Sequence, residues 1–187
     1  DATPIFGSQL SFGGLTITGN VFTCLGAASW FNFIVVKPHG AGHFVHGLSV
    51  TGNVFRAING NIDRIDAIDT TFADLDFTRM RTINITNNTF SGINEQIYNP
   101  ANLSHTQSST AASWTADVGA YLPFGGQARF VESAVADGAI TDGSNTPVFE
   151  APYYTGNQNT DKQGVKFTFS KAVKGQLRYC VRMDNPT

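Results

Sequence analysis

Apolar and polar positions alternate over short stretches of this chain, and one such stretch recurs. Gly14-Leu15-Thr16-Ile17-Thr18-Gly19-Asn20-Val21-Phe22 returns as Gly47-Leu48-Ser49-Val50-Thr51-Gly52-Asn53-Val54-Phe55. It returns again, loosened, as Thr82-Ile83-Asn84-Ile85-Thr86-Asn87-Asn88-Thr89-Phe90, the offsets being 33 and 35 residues. Leu15 and Ile17, Leu48 and Val50, and Ile83 and Ile85 fall on one side of the alternation, with Thr, Ser or Asn on the other. A period of two predicts one short strand per copy with its apolar side inward. Gly-Asn or Asn-Asn then bends the chain, since both residues tolerate left-handed backbone angles, and a Phe follows to re-enter the core.

Strand, Asn corner and inward Phe together predict the terminal coils of a right-handed parallel β-helix over residues 1–100. Stacked in register, Asn20, Asn53 and Asn88 lie about 4.8 Å apart and bond along the stack, with Phe22, Phe55 and Phe90 stacked likewise. All six are scaffold positions on this reading. A leucine-rich repeat would need several Leu per copy on a period of about 20 to 29 residues, and that pattern is absent. Between the copies, Gly60 to Arg79 is predicted as turns and short strands.

Beyond Pro100 the repeat stops. Residues 101–116 are rich in Ser, Thr and Ala and predict a linker. Residues 117–187 then alternate strand and turn, with strands expected at Ala128–Val135, Pro147–Tyr154, Val165–Phe169 and Gln176–Met183. Turns are expected at Asp137-Gly138 and Lys174-Gly175, and a polar loop from Thr155 to Gln163. A small antiparallel β-sandwich is the simplest arrangement, and a β-helix needs such a cap over its last coil to prevent edge-to-edge association. The expected fold class is therefore all-β.

Composition agrees: fifteen Phe against two Met, with nineteen Gly, suits pleated surfaces and turns. Only 14% of residues are charged and the net charge is −2, so no basic field exists to hold phosphates, and nucleic acid is not an expected partner. No apolar run reaches the roughly 18 residues that spanning a bilayer takes, and no membrane partner is expected. The chain opens on a turn-like Asp1-Ala2-Thr3-Pro4 without Met, which suggests a fragment of a longer protein. Cys24 and Cys180 sit at opposite ends of the chain and are expected as separate buried thiols.

Asp63, Asp66, Asp69, Asp74 and Asp76 crowd one stretch. Glycosidic hydrolysis needs two carboxyl groups at a set separation, and a strand through Asp74-Leu75-Asp76 would present two on one face. These two are the weak catalytic candidates; a solvated outer face is the favoured reading, with a calcium site as a further alternative. His39, His43 and His46 are close in sequence, but Pro38, Gly40 and Gly42 argue against a helix that would align them, and loop histidines are expected in preference to metal ligands. No metal or cofactor is expected. Trp30, Trp114, Tyr121, Tyr153 and Tyr154 are the carbohydrate-binding candidates, because sugar rings lay apolar C–H faces on aromatic rings while neighbouring polar side chains bond the hydroxyls.

The repeat with its Gly-Asn-Val-Phe corners, together with Tyr121-Leu122-Pro123-Phe124-Gly125-Gly126 and Arg182-Met183-Asp184-Asn185-Pro186, resembles a family. It is similar to the C-terminal part of the right-handed β-helix spike proteins of alphaproteobacterial phages and gene transfer agents, which are related to polygalacturonases. The resemblance implies a homotrimeric spike or fibre on the surface of a virus-like particle, extracellular after release. It also implies binding to cell-surface polysaccharide and contact with other particle proteins through an upstream part. Polygalacturonases carry Asn-Thr-Asp, Asp-Asp, Gly-His-Gly and Arg-Ile-Lys motifs in order along the β-helix. Asn159-Thr160-Asp161 matches the first, but it lies in the polar loop and the others do not follow it. The likeness therefore carries a fold and not an activity, and a polysaccharide hydrolase or lyase is the alternative function.

Overall fold

The computed structural model describes residues 11–186, so the opening Asp1-Ala2-Thr3-Pro4 and the terminal Thr187 lie outside the described residues. The fold is all-β, with three single-turn 3₁₀ helices at Phe77–Arg79, Gly119–Tyr121 and Pro123–Gly125. In the first part of the chain, each repeat supplies strands to parallel sheets. β1 (Ser11–Thr18), β4 (Phe44–Thr51) and β7 (Arg81–Thr86) form one sheet, and β2 (Val21–Leu25), β5 (Val54–Ile58) and β8 (Thr89–Ser91) a second. β3 (Ile34–Val36) and β6 (Asp66–Ile68) form a third.

The register follows the sequence repeat: Leu15 pairs with Leu48 and Leu48 with Ile83, while Phe22 pairs with Phe55 and Phe55 with Phe90. The Phe22 and Phe55 rings stack at 4.9 Å between centroids and 5° between planes, and Phe55 and Phe90 at 5.8 Å and 13°. At the corners, the backbone N–H and side-chain Nδ2 of Asn20 both donate to Asn53 Oδ1, and those of Asn53 both donate to Asn88 Oδ1. One side-chain oxygen thus satisfies two donors of the preceding copy. Leu48, Val50, Ile83 and Ile85 are buried as the alternation requires, but Leu15 is 51% exposed. Its strand, β1, has a partner on one side alone among the described residues.

The antiparallel part differs from the reading above in several ways; the strand expected at Pro147–Tyr154 lies instead at Tyr153–Gln158, largely inside the stretch expected as a polar loop. Residues 101–116, expected as a linker, lie in the long strand β9 (Ala101–Asp117), which pairs with β12 (Gly164–Arg182) from Ala101↔Val181 to Asp117↔Gly164. β9 carries few large apolar residues because its partner supplies them: Val165, Phe167, Leu177, Tyr179 and Val181 of β12 are all buried. The turn expected at Lys174-Gly175 is instead a bend within β12, where the register slips between Thr168 and Val173 and again before Gly175.

That bend folds the β9–β12 ribbon onto itself. Phe167 meets Tyr179 of the same strand at 5.1 Å, and His105 approaches Trp114 of β9 at 6.0 Å. β10 (Phe130–Ala136) and β11 (Tyr153–Gln158) add to the far edge of β12, so a single four-stranded sheet stands where two sheets of a sandwich were expected. One hydrophobic core runs from the parallel sheets into the bent ribbon.

Candidate functional site

The five aromatic candidates do not converge. Trp114 is 1% exposed, packs on Phe169 at 4.8 Å and donates its indole N–H to the carbonyls of Ala111 and Val173. It is a core residue, and the carbohydrate role expected for it is excluded by burial. Tyr153 and Tyr154 are successive residues of β11 and point to opposite faces, so they form no common platform. Tyr121 is partly exposed and borders a polar hollow with Asn102, Ser104, Thr115 and Asp117. Trp30 is 77% exposed.

Trp30 stands on a turn closed by the Phe31 N–H donating to the Ala28 carbonyl, and it walls a shallow groove of roughly 330 Å³. Asn32, Asp63, Arg64, Asp66, Ala67, Phe124 and Gly125 complete its lining. The Phe124 segment is pinned by hydrogen bonds. Phe124 adopts a left-handed backbone (φ 56°, ψ 21°), which costs a non-glycine residue free energy and persists because neighbouring bonds impose it. Its N–H donates to the Asp66 carboxylate, the Arg64 Nη2 donates to the Leu122 carbonyl at 2.6 Å, and Gln163 Nε2 donates to the Gly125 carbonyl at 2.6 Å.

Arg64 organises the floor. Its Nε donates to Asp66 Oδ1 at 3.0 Å and its Nη1 to Glu95 Oε2 at 2.6 Å. Burial works against the charged guanidinium, but Asp66 and Glu95 outweigh it and hold the group protonated. Asp66 is 2% exposed; burial pushes its carboxyl above the ordinary range, against the pull of Arg64 and of the Phe124 N–H. Both of its oxygens are engaged within the protein, so it pins the Phe124 segment and offers no oxygen to a ligand. Asp63 accepts from Asn94 Nδ2 at 3.1 Å, and Asn94 Oδ1 accepts from Asn61 Nδ2 at 3.0 Å, which continues the polar rim outward from Trp30.

The catalytic candidates lie elsewhere. Asp74 and Asp76 are not on a strand: Asp74 accepts from the Leu75 N–H, and Asp76 caps the Phe77–Arg79 turn by accepting from the N–H and hydroxyl of Thr78. The two-on-one-face geometry expected for them is replaced by two separate turn contacts. Asp69 pairs with Lys37 at 2.7 Å, and no cluster of three or more metal-ligating side chains occurs among the described residues. His39 stacks on Phe72, buried His43 meets Phe12 edge-on, and His46 belongs to β4. Asn159-Thr160-Asp161 forms the turn before β12, where Lys162 N–H donates to the Asn159 carbonyl. Cys24 and Cys180 are both free thiols.

A hollow larger than the Trp30 groove lies on the antiparallel sheet, lined by Asn102, Ser104, Ser133, Asp137, Gln176 and Arg178. Its one ring, Tyr179, is buried, so it lacks the exposed aromatic face present at Trp30. Arg64, Asp66 and the Phe124 loop were not singled out from the sequence as one site; the Phe124-Gly125-Gly126 run and the Arg64-x-Asp66 pair are the signals that could have marked them. Comparison with known proteins returns no matching family model, no similar curated protein and no similar solved structure. No helix among the described residues is long and apolar enough to cross a membrane.

Proposed function

We propose that this chain is the closing end of a right-handed parallel β-helix belonging to a spike or fibre on a virus-like particle. On this reading three copies assemble, the upstream part contacts other particle proteins, and the lateral surface binds polysaccharide of the recipient cell. The in-register Asn and Phe stacks support the helical reading. Its last coil is closed by the antiparallel part, which supports a capping role: Asp184, Asn99 and Arg182 engage the outer edge of β7. Exposed Phe149, Tyr153 and Val135 on that part offer apolar surface to neighbouring copies.

One observation carries the binding half of the reading: an exposed Trp30 on a largely apolar groove that also has Asp63 and Arg64 in its lining, a surface suited to stacking a sugar ring with hydroxyl bonding at its edge. Sedimentation at micromolar concentration tests assembly, with a trimer expected and a monomer counting against it. Capture on an array of bacterial polysaccharides tests binding, with Trp30→Ala expected to abolish it. Equal capture of the variant would move the binding surface away from this groove.

A further inference from the structure

We infer that the groove beside Trp30 takes uncharged, hydroxyl-rich sugars and turns away sugars bearing carboxylate or sulfate groups. The inference rests on the glycan reading above and adds the charge class of the ligand. Three observations converge on it.

The first is the local balance of charge. Arg64 is the one cation lining the groove among the described residues, and it is bonded to two carboxylates, Asp66 and Glu95. Asp63 adds a third carboxylate at the rim. Three carboxylates therefore surround one guanidinium. An incoming uronate would bring further negative charge into this field, whereas a neutral ring meets no Coulomb penalty.

The second is the supply of hydrogen bonds. A guanidinium has five N–H donors, and the three bonds from Nε, Nη1 and Nη2 leave one N–H on each terminal nitrogen without an acceptor among the described residues. Arg64 is thus matched as a charge while it remains open as a donor, which suits the oxygen of a hydroxyl better than a carboxylate. Asp63 is bonded through Oδ1 to Asn94, so its other oxygen is open among the described residues to accept from a sugar O–H.

The third is the stacking face. Trp30 is largely open to solvent in a groove whose Phe124 segment is held by the Asp66 to Phe124 and Arg64 to Leu122 bonds. A site organised before the ligand arrives loses little on binding.

The two tryptophans make the test direct, because Trp114 is 1% exposed and Trp30 is 77% exposed. Acrylamide quenching of the full chain therefore reports mainly on Trp30. The chain is titrated with neutral oligosaccharides (maltohexaose, galactan fragments, chitohexaose) and with oligogalacturonate and oligomannuronate at low salt. Calorimetry on the same samples gives the affinities. The expected result is protection of Trp30 by at least one neutral sugar, with uronates at least about tenfold weaker; Asp63→Asn, which keeps an oxygen for Asn94, narrows that gap by about threefold to tenfold, as does raised salt. Uronates that bind as tightly as neutral sugars, or a gap indifferent to both Asp63→Asn and salt, would overturn the charge inference and leave the glycan reading standing. Protection by no sugar of either class would remove the glycan reading, and the inference with it.

Discussion

The carboxylate of Asp184 lies 2.9 Å from the amide nitrogen of Ile83, a residue 101 positions earlier in the chain. This contact closes the outer edge of the last strand in its sheet, β7. Asp184 also accepts from Asn99 Nδ2 at 2.8 Å and from Arg182 Nε at 2.9 Å, while Asn99 Nδ2 and Arg182 Nη2 both donate to the Ile83 carbonyl at 2.7 Å. Asn99 and Ile85 exchange two backbone bonds at 3.0 Å. An edge that would otherwise invite another strand is thereby satisfied by side chains and two isolated bridges, Ile85 with Asn99 and Arg81 with Asn185.

Asp184→Ala removes the acceptor shared by these buried donors and leaves Arg182 without its nearest anion. A loss of about 3 kcal/mol in unfolding free energy is expected, and less for Asp184→Asn, which keeps one acceptor oxygen. Urea denaturation gives the totals, and hydrogen exchange at the Ile83 amide locates the damage. Unchanged protection at Ile83 in the alanine variant would show that the edge is held without Asp184.

The Asn stack predicts unequal costs for chemically identical substitutions. Asn53 is buried, accepts two bonds from Asn20 and donates its side-chain N–H groups to Asn88 Oδ1, Ile17 O and Thr51 O. Asn20 is exposed, and its side chain donates to Thr18 O and to Asn53. Asn53→Ala should cost on the order of 3 kcal/mol and Asn20→Ala under about 1 kcal/mol. Equal costs in chemical denaturation would mean that the stack contributes little and that the Phe column sets the register.

What could be read from the sequence follows from where each element finds its partner. The repeats were legible because each copy carries its own alternation and its own Asn and Phe, and the parallel register matches their offsets residue for residue. β9 was not legible, because Asn102 to Ala116 holds its burial through the apolar residues of β12, more than 40 positions away. Lys174-Gly175 has the composition of a turn, yet a bulged strand bends there without reversing. Trp30 was legible as a candidate by residue type alone. Its groove was not, since part of the lining comes from Phe124, distant in sequence and held by Asp66.

Cys180 and Cys24 should differ sharply toward alkylating reagents. Burial, aided by the neighbouring Glu132 carboxylate that its thiol contacts at 3.1 Å, pushes the Cys180 thiol up to about 12. The thiolate is the nucleophile, so at pH 8 only about one Cys180 in ten thousand is reactive. Native chain treated with iodoacetamide at pH 8 should be modified first at half-buried Cys24, with Cys180 following only after addition of urea. Glu132→Gln removes one cause of the raised value and should speed Cys180 labelling. Peptide mass mapping over time checks both, and equal native rates at the two thiols would contradict the burial of Cys180.

Asp66 gives the fold a pH dependence of unusual sign. Burial is the largest influence on its carboxyl and raises its pKa in the folded chain, and Arg64 and the Phe124 N–H oppose that shift without cancelling it. In the unfolded chain the group titrates near the ordinary value of about 3.9. Between those two values the folded state keeps a proton that the unfolded state has released, so stability falls as pH rises. The contribution is complete below about pH 3.9 and is lost as pH passes the folded value. Asp69, Asp142 and Glu150 act in the opposite sense: hydrogen bonds from Lys37, Lys171 and Ser170 respectively depress their pKa values, so their stabilisation is present at neutral pH and lost on acidification. The wild-type curve mixes both signs, but Asp66→Asn isolates one of them, since the asparagine does not titrate and its disturbance of Arg64 is a constant offset. Urea unfolding at pH 4, 5, 6 and 7 should show the stability of wild type relative to Asp66→Asn declining across the series. A relative stability that climbs with pH would mean that Arg64 outweighs burial and holds the Asp66 carboxyl below its ordinary range.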